Sequence, residues 1–375
     1  MISSEQKNSI LSGHAKNNIR FYLIIIIAII ITSVVLYFLL YEQPSEIQYS
    51  ITYLPSFRSG STSPLALNDM GQVVGQFYTT TGLMHAFFWD ESTGLTDLGT
   101  LGGKESVARD INNSGQVVGY AMDLNGHKRA FLWDENNGMV DLGTLGGKES
   151  AANDINNSGQ VVGWSNTVEN HQSKQCSVHA FLWDKQQGMI DLGTLGGKNS
   201  YAKAINDHGQ VVGHSKHIRG QQHAFLWHKS TGMSDLTKQG VKGIKSSARD
   251  INNNGQVLGV FNTDDNRKHV FILDRDHIVI ETDVSAFYAL KLNDSGQFFL
   301  PVKHKEVKIF SYQLSPKQSE SVLLTSTGKR TFPGRHIPRH LNNFLLWDIN
   351  NKGQMLGHTR PASGGNVAFI INPIK

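Results

Sequence analysis

Cysteine is almost missing: one residue, Cys176, in a chain of 375. That excludes a disulfide framework and any metal site built from cysteines alone. Proline is scarce as well, nine residues against 37 glycines, so glycine rather than proline must make the turns. Charge of one sign is also lacking. With 35 Lys and Arg against 31 Asp and Glu, the net charge of +4 is too small to point to nucleic acid. No nucleophile elbow, phosphate loop, His-Glu-x-x-His pair or sialidase-type aspartate box is present, so the chain presents no catalytic residue, cofactor or metal motif. Activity is not what these residues advertise.

One long apolar run is present, Phe21 to Tyr41. As a helix it would span ~31 Å, enough for a bilayer core. Lys7, Lys16 and Arg20 precede it and Glu42 and Glu46 follow, so the charge bias predicts a cytoplasmic tail over 1–20. The expectation is a single-pass protein with an uncleaved signal anchor over 21–41 and a tether over 42–47. A periplasmic or extracellular body would follow, on a bacterial inner membrane.

From residue 48 onward the chain repeats itself. DLGTLGGKES occurs at 97–106 and 141–150, and DLGTLGGKNS at 191–200. Asn-x-x-Gly-Gln recurs seven times, as the pairs Asn68/Gly71, Asn112/Gly115, Asn156/Gly159, Asn206/Gly209, Asn252/Gly255, Asn293/Gly296 and Asn350/Gly353. A second marker, the phenylalanine of a His-Ala-Phe-like segment, recurs equally often at Phe87, Phe131, Phe181, Phe225, Phe271, Phe310 and Phe369. Each unit parses into four strands rich in Val, Ile, Phe and Trp, and the Asn and Gly make the turn between the first two. Val117 and Val118 are neighbours yet must point to opposite faces, so each sheet is apolar on both sides and must stack between copies of itself. The expectation is an all-β, seven-bladed β-propeller of four-stranded blades over 48–375, with repeats from about 63. Its last unit stops after a third strand, whereas Ile51 to Phe57 aligns without gaps on Leu95 to Leu101, a fourth strand and its loop. The segment 48–57 is therefore expected to close the last blade.

HAFLWD, GMVDLGTLGG and INNSGQVVG resemble the HAF-repeat family of presumed extracellular bacterial proteins, strongly over about 50–240 and in degenerate form over 241–372. Trp89-Asp90, Trp133-Asp134 and Trp183-Asp184 are also similar to the pairs of WD-repeat propellers. The resemblance implies an exported setting and no particular activity.

Two clusters invite a metal. Asp110 to Gly115 superficially matches the start of a calcium loop, but no carboxylate follows, and the first position becomes Ala66, Ala204 or Lys291 in other repeats. His85, His179, His223 and His269 share one slot, which Arg129, Lys308 and Val367 fill elsewhere. Equivalent positions on separate blades do not converge, so these read as hydrogen-bonded strand histidines. The connections entering each first strand and leaving each second strand emerge on one face. That face is expected to carry Lys104, Lys148 and Lys198. The long last period adds a basic stretch, Lys329, Arg330, Arg335, His336, Arg339 and His340, expected in the connection before the last blade as an anion-binding rim. The function expected is a binding or scaffold module for a protein or carbohydrate partner. The alternative is a hydrolase or lyase acting on cell-envelope polysaccharide, which a central cluster of carboxylates with raised pKa values would favour.

Overall fold

The computed structural model describes residues 48–56, 62–168, 177–241, 243–265, 267–274, 277–283, 291–301, 321–325, 330–331, 344–359 and 367–374. Every regular element among them is a strand, apart from the 3₁₀ turn Leu236–Gln239.

The second blade shows how the repeat works. Its strands are Gly102–Ile111, Val117–Asp123, Lys128–Asp134 and Gly138–Asp141, each antiparallel to the next. Five other sheets share the four-stranded plan, with inner strands Thr62–Leu67, Gly146–Ile155, Gly196–Ile205, Lys245–Ile251 and Phe344–Ile349. In the last of these the fourth strand is Gln48–Tyr53, which lies beside Val367–Ile374.

The expectation of seven equal four-stranded blades is corrected: six are complete. The sixth repeat forms a three-stranded sheet, Gln297–Pro301, Ser321–Thr325 and Arg330–Thr331, and its inner segment contributes only an isolated bridge from Leu292 to Phe298. Ser321–Thr325, not a strand at Phe310, pairs with Gln297–Pro301. The added residues of this repeat therefore fall between its second and third strands, and Phe310 lies outside the described residues.

The single-pass expectation is corrected too. Among the described residues no helix is long and apolar enough to cross a membrane. The four-residue 3₁₀ turn covers ~8 Å against the ~30 Å of a bilayer core. The run at 21–41, with the tail and tether around it, lies outside the described residues.

The core lies between blades. Val117 packs with Ala66, Val74, Ala86 and Leu98 of the preceding blade, whereas Val118 joins Ala152, Ile155, Val161 and Phe181 of the following one. Phe87, Phe131, Phe181, Phe225, Phe271 and Phe369 are fully buried. Each stands opposite a glycine of the second strand, as Phe131 does with Gly119 and Phe181 with Gly163.

Candidate functional site

The Asn-Gly turns ring one end of the channel. Asn112 Oδ1 accepts from the amides of Ser114 and Gln116, so the turn consumes the oxygen that a calcium ion would need. Its Nδ2 donates to Gln116 Oε1 and, across the blade boundary, to the carbonyl of Asn156 at 3.1 Å. That second bond repeats from Asn68 to Asn112, Asn156 to Asn206, Asn206 to Asn252, Asn252 to Asn293, Asn293 to Asn350 and Asn350 back to Asn68. The circle closes. A second circle lies beside it, in which Asp69, Asn113, Asn157, Asp207, Asn253, Asp294 and Asn351 each pass an amide hydrogen to the next side-chain oxygen. The sequence reading identified these asparagines as turn formers. It missed that they also bind blade to blade.

The glycines of the same turns are Gly71, Gly115, Gly159, Gly209, Gly255, Gly296 and Gly353, and all have φ between +71° and +83°. Each donates its amide to the carbonyl of the asparagine three residues earlier, at 2.9–3.1 Å. This left-handed backbone favours glycine over any residue with a Cβ. The turns also have neighbours beyond themselves, because most of these glycines face the blade before them. A Cβ at Gly115 would lie 3.7 Å from Gln72 Oε1, at Gly159 3.2 Å from Gln116 Oε1, at Gly209 3.5 Å from Gln160 Oε1 and at Gly255 3.7 Å from Gln210 Oε1. Gly353 stands 3.9 Å from Gln297 Oε1 in the same sense, whereas a Cβ at Gly71 would meet nothing within 4 Å. The turns are seams as well as corners.

Two residues before five of the seven asparagines stands a column of charge, Ala66 and Ala204 filling the other two places. Asp110, Asp154, Asp250 and Asp348 are buried, and each Oδ2 accepts the amide of the next unit, at Ile155, Ile205, Leu292 and Leu67. Lys291 occupies the column in the sixth repeat and its Nζ lies 3.7 Å from Asp154 Oδ1. Burial, then the charge of Asp110, holds Asp154 well above the usual carboxylate range. Burial raises Asp250 and pushes Asp348 up to about 7. Burial alone would lower Lys291, but Asp250, Asp154, Asp110 and Asp348 hold it well above its ordinary value. One reversed charge in a column of aspartates was the available sequence signal for this cluster.

The cavity between these groups has a volume of about 160 Å³. Pockets for drug-sized ligands run to ~300 Å³ and more, so this floor is a small one. The carboxylates with raised pKa values are a feature that would favour the enzyme alternative, yet each spends an oxygen on a neighbouring amide. They fasten the blades.

A pH dependence follows from Asp348. Its folded pKa of about 7 lies above the unfolded 3.8, so the folded state holds the proton more tightly. The stability from this group is complete below about pH 4 and is lost as pH rises towards 7. The Asp348→Asn variant should therefore gain on the wild type between pH 5 and pH 8, by a few kcal/mol at ~1.4 kcal/mol per unit. Denaturant melts at both pH values measure it, and a gap that does not change with pH would contradict the assignment.

The histidine slot has a partner inside its own blade. His85 lies 3.0 Å from Asp97, His179 2.8 Å from Asp191 and His223 2.7 Å from Asp235, and Arg129 makes the same pair with Asp141 at 2.9 Å. Among the described residues no three His, Cys, Asp or Glu side chains gather where a metal could bind. The serine of the GGKES loops is a further residue that sequence reasoning passed over. Ser106 Oγ accepts the amide of Ala86 in the preceding blade and donates to the Gly99 carbonyl, and Ser150 and Ser200 do likewise.

At the opposite end of the inner strands, Lys104, Lys148 and Lys198 are exposed in three consecutive blades. Gly102 pairs with Asp123, so the loop entering the inner strand and the loop leaving the second strand share this edge. Leu124, Val168 and Ile218 stand there in equivalent positions, 85%, 65% and 74% exposed. Such repetition of apolar tips is unlike isolated surface leucines, which need no explanation. Of the basic stretch, Arg330 falls in the strand Arg330–Thr331. Lys329, Arg335, His336, Arg339 and His340 lie outside the described residues.

Residues 104–195, less than half of the chain, match the family described as Protein of unknown function (DUF3466). The match is confined to that segment, and the expected HAF-repeat membership finds no support beside it. No curated protein matches the chain. Among solved structures, the acylaminoacyl peptidase of Pyrococcus horikoshii superposes with a TM-score of 0.53 at 9% identity, over 83% of this chain and 51% of that one. The BP39L lectin of Burkholderia pseudomallei gives 0.46 at 8% identity over 88% and 98%, and TolB of Acinetobacter baumannii 0.39 at 16% over 64% and 65%. The chain thus spans about half the length of the peptidase. At these identities the likeness concerns the fold alone, and the fold is a β-propeller.

Proposed function

We propose that this propeller is a binding module, and that the edge carrying Lys104, Lys148 and Lys198 receives its protein or carbohydrate partner. The observation behind this reading is the threefold repetition of an exposed lysine beside an exposed aliphatic residue, Leu124, Val168 or Ile218. A periodic surface of this kind offers cation and apolar contact together, which suits a partner with acidic groups flanking apolar ones. Function on a propeller sits in such loops and not in the blades. A protein partner is favoured, because three aliphatic tips present more apolar surface than polar sugars exploit. The channel floor offers the hydrolase reading less, because its buried carboxylates each hold the backbone amide of a neighbouring unit.

The full chain, probed on glycan arrays and against candidate protein ligands, should show saturable binding. Replacing Lys104, Lys148 and Lys198 together by Glu should weaken it at least ~10-fold while the melting temperature holds, because exposed surface changes of this kind stay within ~0.5 kcal/mol each. Binding indifferent to the triple replacement, or no saturable binding at all, would sink the proposal.

A further inference from the structure

One residue before the aspartate column the inner strands carry a different set of side chains: Leu65, Arg109, Asn153, Lys203, Arg249 and Trp347. Each lies where the register with the second strand slips, as between Ala108 and Asp110 or between Ala202 and Ala204. A bulge of this kind re-aims a side chain that a regular strand would send elsewhere. Three of the set are cations, drawn from the second, fourth and fifth blades.

Their surroundings do not neutralise them. Arg109 donates to Asn153 Oδ1 and its guanidinium lies 5.0 Å from the Tyr120 ring. Among the described residues, Lys203 and Arg249 have neither a hydrogen bond nor an ion pair. Burial, then Arg249 and Arg109, pushes the Lys203 amine down to about 8. Burial, then Lys203, Arg249 and Lys216, pushes His214 down to about 3, so a neutral imidazole faces the cations. His214 stacks on Tyr201 at 5.1 Å, and Tyr201 meets Trp164 edge-on at 6.3 Å. The aspartate column offers no relief, since its carboxylates are bonded to backbone amides and grouped around Lys291. Like charges gathered without a counter-charge are costly unless a ligand supplies one.

We infer that Arg109, Lys203 and Arg249 form an oxyanion-binding site on the inner strands, with Asn153 between them and the aromatic wall of Tyr120, Trp164 and Tyr201 at its flank. The ligand class is a small molecule bearing phosphate or carboxylate. Two guanidinium forks suit its oxygens in bidentate fashion and the lysine adds a point charge. Arg249 is exposed and Arg109 and Lys203 are half-buried, so solvent reaches the cluster from the fifth blade. This site is separate from the lysine edge and does not depend on it.

The test uses the full chain at low ionic strength, with inorganic phosphate, glucuronate and, as a neutral control, glucose, read by calorimetric titration and by melting temperature. Phosphate or glucuronate should bind saturably and raise the melting temperature, and whichever binds more tightly identifies the oxyanion. Glucose should do neither. Lys203→Met and Arg249→Gln should each weaken anion binding at least ~10-fold, the loss of one charge-assisted contact. Without ligand the exposed Arg249→Gln variant should melt at or above the wild type, because one repelling charge is gone. Replacing Lys104, Lys148 and Lys198 should leave anion binding unchanged. No binding of either anion, or equal binding by wild type and Arg249→Gln, would overturn the site.

Discussion

Gly119→Ala should cost the protein at least ~4 kcal/mol, while Gly126→Ala, seven residues on, should cost ~1 kcal/mol. The two glycines are needed for different reasons. Gly126 adopts a φ of +77°, yet a Cβ there would meet nothing within 4 Å, so alanine incurs only the left-handed strain. At Gly119 the backbone is extended and the obstacle is space: a Cβ would sit 1.9 Å from the Val107 carbonyl oxygen and 3.1 Å from the Ala108 Cα. Those atoms belong to the inner strand, whose position is fixed by its pairs with Gly119 and Val118 on one side and by the asparagine circle at its end. They cannot withdraw without opening the blade. Gly163 and Gly213 meet the same obstacle, with carbonyl oxygens 2.0 Å away. Thermal melts of the two variants decide the matter. The second-strand variant should lose ~8–16 °C, at 2–4 °C per kcal/mol for a domain of this size. If Gly119→Ala melted like Gly126→Ala, the close approach of the first two strands would be disproved.

The same glycine shows what the sequence can and cannot disclose. Val117 and Val118 announce a sheet apolar on both faces, and the structure puts them in different inter-blade clusters. The Asn-x-x-Gly-Gln turns were legible because their chemistry is local: an amide side chain bonding four residues on. The bonds from Asn112 to Asn156 and from Ser106 to Ala86 were not, because they cross from one repeat to another and leave no mark in either alone. The sixth repeat misled for the opposite reason. Phe310 satisfies the spacing of the marker, but spacing says nothing of which segment will pair, and Ser321–Thr325 takes the place beside Gln297–Pro301. At the site, the lysines of the GGKES loops could be placed on a face from connectivity alone. The cations at Arg109, Lys203 and Arg249 could not, because each repeat reads differently there and only the shared bulge brings them together.

Removing residues 48–57 should lower the melting temperature by ~10 °C or more and turn the protein into a self-associating one. Two fastenings join the last sheet to the first. The inner one consists of the Asp348 carboxylate accepting the Leu67 amide at 2.8 Å and Asn350 donating to the Asn68 carbonyl at 2.9 Å. The outer one is the strand Gln48–Tyr53 with the residues after it: Leu54 donates its amide to Ala368 at 3.0 Å, and Asn372 Nδ2 reaches Thr52 Oγ1 at 3.0 Å. Leu54 is buried with Leu356, Ala368 and Ile370 of the last sheet and with Leu67, Val73 and Phe87 of the first blade, so it sits on the seam itself. Tyr49 and Ile51 pack on Phe369 and Ile371. At ~1.5–3 kcal/mol for a fully buried large apolar side chain, and about half that for the half-buried Ile51 and Tyr49, the three together stabilise the seam by roughly 3–6 kcal/mol. The deletion leaves the inner fastening intact, so the remaining blades should keep their sheets while the last one frays. Its uncovered strand, Val367–Ile374, would then present free amides and carbonyls to a second molecule. Calorimetry should show a broadened, earlier transition, and light scattering should show dimers or larger species that the intact chain does not form. Leu54→Ala isolates the seam from the edge, because it opens a cavity for ~2–5 kcal/mol yet keeps the strand in place. It should lower the melting temperature without association. A shortened chain that melted and sedimented like the full one would show that the circle is held by its asparagines and aspartates alone.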